Sequence, residues 1–311
     1  MGTPDFAVEP LRRLTEGGYN VVAVVTMPDK PVGRHHETLQ QSPVKQFALA
    51  HGIPVLQPER LKDEQFLEEL RSYHADLQVV VAFRMLPEVV WAMPRLGTFN
   101  LHAALLPQYR GAAPINWAII NGDRETGVTT FFLDHNIDTG RVIHRRSVPI
   151  NDDDDAASVH DRLMLLGAEL VLKTVDDVIS GNVRPIPQEQ LTTDGPLRPA
   201  PKIFRETCQI RWNELPARQV YNFVRGLSPY PAAWTTLDGT VVKIYKCQMS
   251  DIKRHMSDVL PGTIETDGRT YFSVACRGGW VDILSLQLAG KRRMSVEDFL
   301  RGAHIHSECM I

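Results

Sequence analysis

The chain has 311 residues, 43% apolar and 23% charged, with 34 Lys and Arg against 37 Asp and Glu. That length exceeds one average domain and that composition supports a real core, so two globular domains are expected. The net charge of −3 is uneven: from Phe204 onward 14 basic residues outnumber 11 acidic ones, while the first 203 residues carry −6, a weak pointer to nucleic-acid contact by the second half.

Four cysteines (Cys208, Cys247, Cys276, Cys309) form no C-x-x-C pair. The spacing argues against a zinc site and offers no disulfide framework, as expected in a reducing cytosol. No apolar run reaches the roughly 18 residues that span a bilayer. The opening MGTPDFAVEPLRRL lacks the layout of a signal peptide. A soluble, cytoplasmic protein is expected.

Gly2-Thr3-Pro4-Asp5 reads as a turn into a helix with Thr3 as N-cap and Pro4 at its first position, ending at Gly17-Gly18. Tyr19 to Thr26 is a continuous β-branched run, the pattern of a strand buried on both faces. A loop rich in proline and cations follows, Pro28 to His36. Helices are expected at 43–51 and 64–73, and strands at 53–56 and 77–83. This βαβαβ rhythm predicts a doubly wound parallel sheet, Rossmann-like, whose ligands sit beyond the carboxyl ends of the strands. Further on come a strand at 98–100, a helix at 116–121, a strand at 127–133, and the loop DHNIDTG at its exit. The four carboxylates Asp152 to Asp155 suit the amino end of a long helix that stops near Gly181.

Five prolines between Pro185 and Pro201 mark a linker. Beyond it, short strands separated by Asp238-Gly239, Asp267-Gly268 and Gly278-Gly279 suggest a small β-barrel, with an oligonucleotide-binding (OB-like) barrel one candidate. The expected domains are thus 1–184, a linker 185–203, and 204–311.

The densest stretch is FNLHAALLPQYRGAAP, Phe99 to Pro114. His102 is the best general acid/base by chemistry, although a lone histidine is more often structural. Two features favour catalysis: a place at a strand exit, and Asn100 two residues earlier on the same side of the strand. An Asn amide can donate to a carbonyl oxygen as it becomes negative. Asp138, in a second loop at the same sheet end, could hold the imidazole and favour its protonated form. A bare Asp-Thr-Gly is equally a turn.

Together, HAALLPQYRGAAPI and the later IDTG resemble the signature of the formyltransferases that use 10-formyltetrahydrofolate. GTPDFAVEPL, PDKPVGR, SPVK, LPEVVWAMPRLGTFNLHA, GLSPYPAAWT, PGTI and LSLQLAGKRRMSVEDFL narrow the likeness to the members acting on methionyl-tRNA, over essentially the whole chain. The resemblance implies that Asn100 binds the formyl oxygen, His102 shuttles the proton and Asp138 orients and charges it. It further implies that Ala104, Leu105, Leu106 and Pro107 form the folate loop and that Arg34 contacts tRNA. The implied reaction moves a formyl group from 10-formyltetrahydrofolate to the α-amino group of methionine on initiator tRNA, for translation initiation. No metal is implied, the barrel would hold the tRNA body, and a monomer is expected.

The chain also departs from the family pattern. Ala104 stands at a usual Ser, Arg84 at a usual Gly near the expected pterin pocket, and His35-His36-Glu37 at a more basic run. The family has a short apolar strand before GTPDF, so a start further upstream is expected. Two other readings stay open: a sugar-nucleotide N-formyltransferase sharing the Asn-His-Asp site, and an inactive nucleic-acid-binding relative. A dinucleotide site is disfavoured by the lack of G-x-G-x-x-G. His304 and His306 beside Cys309 make a poor metal site in a terminal tail.

Overall fold

The computed structural model describes residues 1–32, 38–193, 195–251, 259–302, 305 and 308–311. Its elements in chain order are α1 (Val8–Glu16), β1 (Val24–Val25), β2 (Lys30–Val32), β3 (Thr38–Gln40), α2 (Pro43–Ala50) and β4 (Val55–Leu56). Then come α3 (Glu64–Ser72), β5 (Gln78–Val81), α4 (Glu88–Trp91), β6 (Thr98–His102), α5 (Pro114–Ile120), β7 (Glu125–Phe132), β8 (Val142–Pro149) and α6 (Ala156–Ile179). The remainder holds α7 (Ala217–Leu227), β9 (Ala233–Leu237), β10 (Thr240–Met249), β11 (Ile264–Thr266), β12 (Phe272–Cys276), β13 (Gly279–Leu288), β14 (Met294–Ser295) and α8 (Val296–Gly302). The chain divides into two compact units: 1–111 with 126–148 and 160–199, and 112–125 with 149–159 and 200–311. Among the described residues no helix is long and apolar enough to cross a membrane.

In the first unit β1 pairs parallel with β4, and β5 parallel with β6. Met1 and Gly2 lie between these pairs. Gly2 N donates to Val25 O at 3.0 Å and Val81 N to Met1 O at 2.9 Å, with Gly2 bridging Val81 in parallel. They occupy the position where the apolar strand was expected. A cavity of about 490 Å³ adjoins them, lined among others by Leu11, Leu14, Val22, Leu70 and Leu77. Met1 N donates to Val79 O at 2.6 Å. Of the run 19–26 expected as one strand, only the buried Val24–Val25 pairs as a strand, and residues 19–23 are exposed or half-buried; Val25, Val80, Leu67 and Val90 share one core.

Three local expectations are corrected. The first helix begins with a 3-10 turn at Asp5–Ala7 flanked by Pro4. Thr3 does not cap it, because its hydroxyl accepts from Met27 N at 3.3 Å instead. The 28–36 stretch is not all loop: Lys30–Val32 pairs antiparallel with Thr38–Gln40. Its intervening residues, including Arg34, His35, His36 and Glu37, lie outside the described residues, as do His304 and His306. The third correction concerns direction: β7 runs antiparallel to β6, with Phe99 opposite Phe132 and His102 opposite Thr129.

In the second unit one antiparallel sheet runs β11-β12-β13-β10-β9, with β14 added to β13. The chain end closes it. Ile264 N donates to Glu308 O at 2.7 Å and Met310 N to Gly262 O at 2.8 Å. On the far edge Thr236 N donates to Ile311 O at 2.8 Å, and Ile311 N returns a bond at 3.1 Å. Residues 308–311 thereby bridge the two open edges, which removes the aggregation liability of unpaired strands. Phe272, Ile244, Ile283 and Leu286 fill the interior, fully buried, each worth about 1.5–3 kcal/mol relative to exposure. α7 lies against α5 at Gly226, where an added Cβ would stand 2.7 Å from the Ile120 side chain, and Asn116 donates to Gly226 O at 2.8 Å. At the start of α6, Asp155 and Ser158 exchange bonds in a reciprocal cap: Ser158 N donates to Asp155 Oδ1 at 2.9 Å and Asp155 N to Ser158 Oγ at 3.1 Å.

Cys208, Cys247 and Cys276 are buried free thiols, while Cys309 is exposed. Burial pushes all three interior thiols up, Cys276 to about 12. Because the thiolate is the reactive form, one thiol per native chain should react quickly with a disulfide reagent at pH 8, and four after denaturation. More than one fast thiol in the native protein would contradict this burial.

Candidate active site

β6 is an interior strand: Asn100 faces Val80 on one side and Phe131 on the other. Period two along β6 puts the Asn100 and His102 side chains on one face. Asn100 is half-buried, and its carboxamide makes no hydrogen bond among the described residues. His102 is 6% exposed. Its Nε2 lies 2.8 Å from Tyr109 O. A carbonyl can only accept, so Nε2 carries hydrogen in either protonation state of the ring. The other ring nitrogen, Nδ1, faces Asp138 Oδ2 at 3.9 Å.

The structure thus brings His102 and Asp138 together, but by a different route from the expected one. Because β7 is antiparallel to β6, its exit at Phe132 lies beside Phe99, at the amino end of β6. The 133–141 loop must bring Asp138 back toward His102. Gly140 makes the return possible, since an added Cβ would lie 1.7 Å from Phe132 O. Asp138 itself adopts φ 55° and Tyr109 φ 60°, left-handed conformations that cost a non-glycine residue about 1–3 kcal/mol and need outside support. Part of that support is direct: Gly111 N donates to Asp138 Oδ2 at 2.9 Å.

Thr129, opposite His102, shapes the following turn. Its hydroxyl donates to Ala104 O at 2.6 Å and accepts from Leu106 N at 3.1 Å. Arg145 Nη1 donates to Leu106 O at 3.0 Å. Ala104, Leu106 and Pro107 are buried and Leu105 half-buried, with Leu106 packed against Phe131 and Val142. Ala104 is fully enclosed, so its missing hydroxyl is an interior substitution. Arg84 leans on the 58–59 backbone, with Nη1 donating to Glu59 O at 2.8 Å and Nη2 to Pro58 O. Its buried Nε has no partner among the described residues. A half-buried amide at Asn100 and a buried imidazole at His102 on one face of β6 suit a polar co-substrate bearing a carbonyl group.

Sequence reasoning missed Gln188. It lies in the expected linker, 1% exposed. Its carboxamide bonds to Arg110 and to the backbone of Asp138 and Gly140. A glutamine in a proline-rich stretch carries no signal that would mark it. In the second unit a cleft of about 800 Å³ has a largely aliphatic and small-residue lining into which Lys202, Arg205, Lys243, Phe204, Tyr230 and Trp234 also enter.

Residues 1–175 match the family model described as Formyl transferase, and residues 202–304 match Formyl transferase, C-terminal domain. Matched over both halves, the chain is a formyltransferase. Methionyl-tRNA formyltransferase of Phocaeicola vulgatus is 64% identical over 97% of this chain and 94% of the relative. That of Bacteroides fragilis is 61% identical over 98% and 94%, and that of Porphyromonas gingivalis 49% over 100% and 97%. Among solved structures, the sugar 3N-formyl transferase WlaRD aligns with a TM-score of 0.64 at 19% identity, over 94% of this chain and 97% of that one. HypX from Aquifex aeolicus in complex with tetrahydrofolic acid aligns at 0.58 and 21%, over 83% and 44%. The latter two likenesses establish fold alone. By the sequence identities, the chain belongs to the methionyl-tRNA formyltransferase family.

Proposed function

We propose that this protein transfers the formyl group of 10-formyltetrahydrofolate to the α-amino group of methionine on initiator tRNA, in the cytoplasm and as a monomer. The observation that carries the site assignment is His102 Nδ1 facing Asp138 at 3.9 Å with Asn100 on the same face of β6. The folate supplies an activated formyl carbon. Asn100 donates its amide N–H to the formyl oxygen as negative charge gathers there. His102 Nδ1 accepts the proton that the attacking amine must lose and returns one to the departing folate nitrogen, so protons balance over the turnover. Asp138 stabilises the imidazolium between those two transfers. The turn at Ala104, Leu105, Leu106 and Pro107 holds the folate beside this trio.

The tRNA partner is supported by the family membership and by the second-unit cleft. Three cations and three aromatic side chains suit phosphates and unstacked bases. Arg34 is proposed as a further tRNA contact, on the resemblance of its loop. The proposed division of labour is catalysis by 1–184 and tRNA binding by 204–311, joined by 185–203. One assay tests the reading: formyl transfer from 10-formyltetrahydrofolate to charged initiator tRNA, run beside aminosugar nucleotides. Transfer to tRNA alone is expected. Transfer only to a sugar, or to neither acceptor, would overturn it.

A further inference from the structure

Gln188 spends its whole hydrogen-bonding capacity on the two loops that carry the His102–Asp138 pair. Its Oε1 accepts from Arg110 Nε at 3.0 Å and Arg110 Nη2 at 2.7 Å. Its Nε2 donates to Asp138 O at 2.8 Å and Gly140 O at 2.9 Å. Arg110 stands between Tyr109, whose carbonyl accepts from His102, and Gly111, whose N–H holds the Asp138 carboxylate. One buried carboxamide therefore clamps the loop that orients the imidazole to the loop that supplies its counter-ion. The clamp is itself anchored: Ile186 and Val142 exchange backbone bonds at 2.8 and 2.9 Å, two residues before Gln188.

The chemistry of the position is restrictive. An acceptor is needed on the Arg110 side and two donors on the carbonyl side. A glutamate would satisfy the guanidinium but set an oxygen against two carbonyl oxygens. A leucine would strand the Arg110 head and both carbonyls without partners. Asp138 holds a left-handed conformation, so release of its backbone lets it relax away from His102.

We propose that Gln188 is a positioning residue for formyl transfer, acting through Arg110 and Asp138 to hold the Asp138 carboxylate against His102. The inference rests on the roles given above to His102 and Asp138. The test compares Gln188→Leu and Gln188→Glu in the wild-type and Asp138→Asn backgrounds, with folded fraction measured by circular dichroism. In the wild-type background Gln188→Leu should lower kcat by about 10- to 100-fold with KM for tRNA and folate within about threefold. In the Asp138→Asn background the same change should cost less than about threefold, since the clamped charge is already gone. An equal drop in both backgrounds, or a loss confined to KM, would overturn the positioning role. Should the leucine variant fold poorly, Gln188→Glu carries the test, because it keeps the shape and the Arg110 contact. A wild-type kcat in that variant also overturns the proposal. His102→Ala run alongside separates the two levels: if it stays active, the site reading itself fails. If it is inactive while the Gln188 variants are indifferent, only the positioning role fails.

Discussion

Replacing His102 with alanine should lower kcat/KM for formyl transfer to initiator tRNA by about 10²- to 10⁴-fold, the usual worth of a positioned acid/base. The imidazole faces Asp138 at 3.9 Å and shares one face of β6 with Asn100. Alanine also leaves Tyr109 O without the partner it has at 2.8 Å, a buried loss of about 1–3 kcal/mol, so some destabilisation accompanies the kinetic defect. His102→Gln separates the two effects. A glutamine amide can still donate to Tyr109 O but cannot take a proton at neutral pH. Thermal stability should return toward the wild type in His102→Gln while transfer stays lost. A glutamine variant with more than a tenth of wild-type activity would reduce His102 to a structural donor.

The parts of this fold written in local pattern were legible in the sequence. β5 and the helices around it announce themselves by a buried β-branched run and amphipathic spacing, and Asn100 and His102 fall together because period two along one strand requires it. What depends on pairing between distant segments was not legible. The residues of β7 are equally apolar whichever way the strand runs, so nothing local shows that its exit lies beside Phe99 and that Asp138 must return. Gly140 carried a trace of that return, but a glycine forced by contact with Phe132 reads like one in any turn. Gln188 gave no trace at all, because its role comes from carbonyls some fifty residues away in sequence. The closure of the barrel by residues 308–311 is hidden for the same reason, since a short tail gains its meaning only from the strand edges it meets.

Asp138→Asn tests the charge of the third site residue without its shape. An asparagine Oδ1 can still accept from Gly111 N, which now donates to Asp138 Oδ2 at 2.9 Å, and the clamp from Gln188 holds the backbone rather than the side chain. The loop should therefore stay in place, and the melting temperature should move by no more than a few degrees. What disappears is a negative charge 3.9 Å from His102 Nδ1. At an effective dielectric near 20, two unit charges about 4 Å apart attract by about 4 kcal/mol, which sets an upper bound near 10³ on the rate effect. Asp138 is only partly buried, so solvent reduces the attraction, and a loss between about 10- and 10³-fold in kcat is expected. Asp138→Ala removes both the charge and the Gly111 bond, and should lose stability as well as rate. If Asp138→Asn instead keeps the wild-type kcat while Asp138→Ala alone is impaired, the carboxylate serves the loop and not the imidazole. His102 would then work without a charged partner.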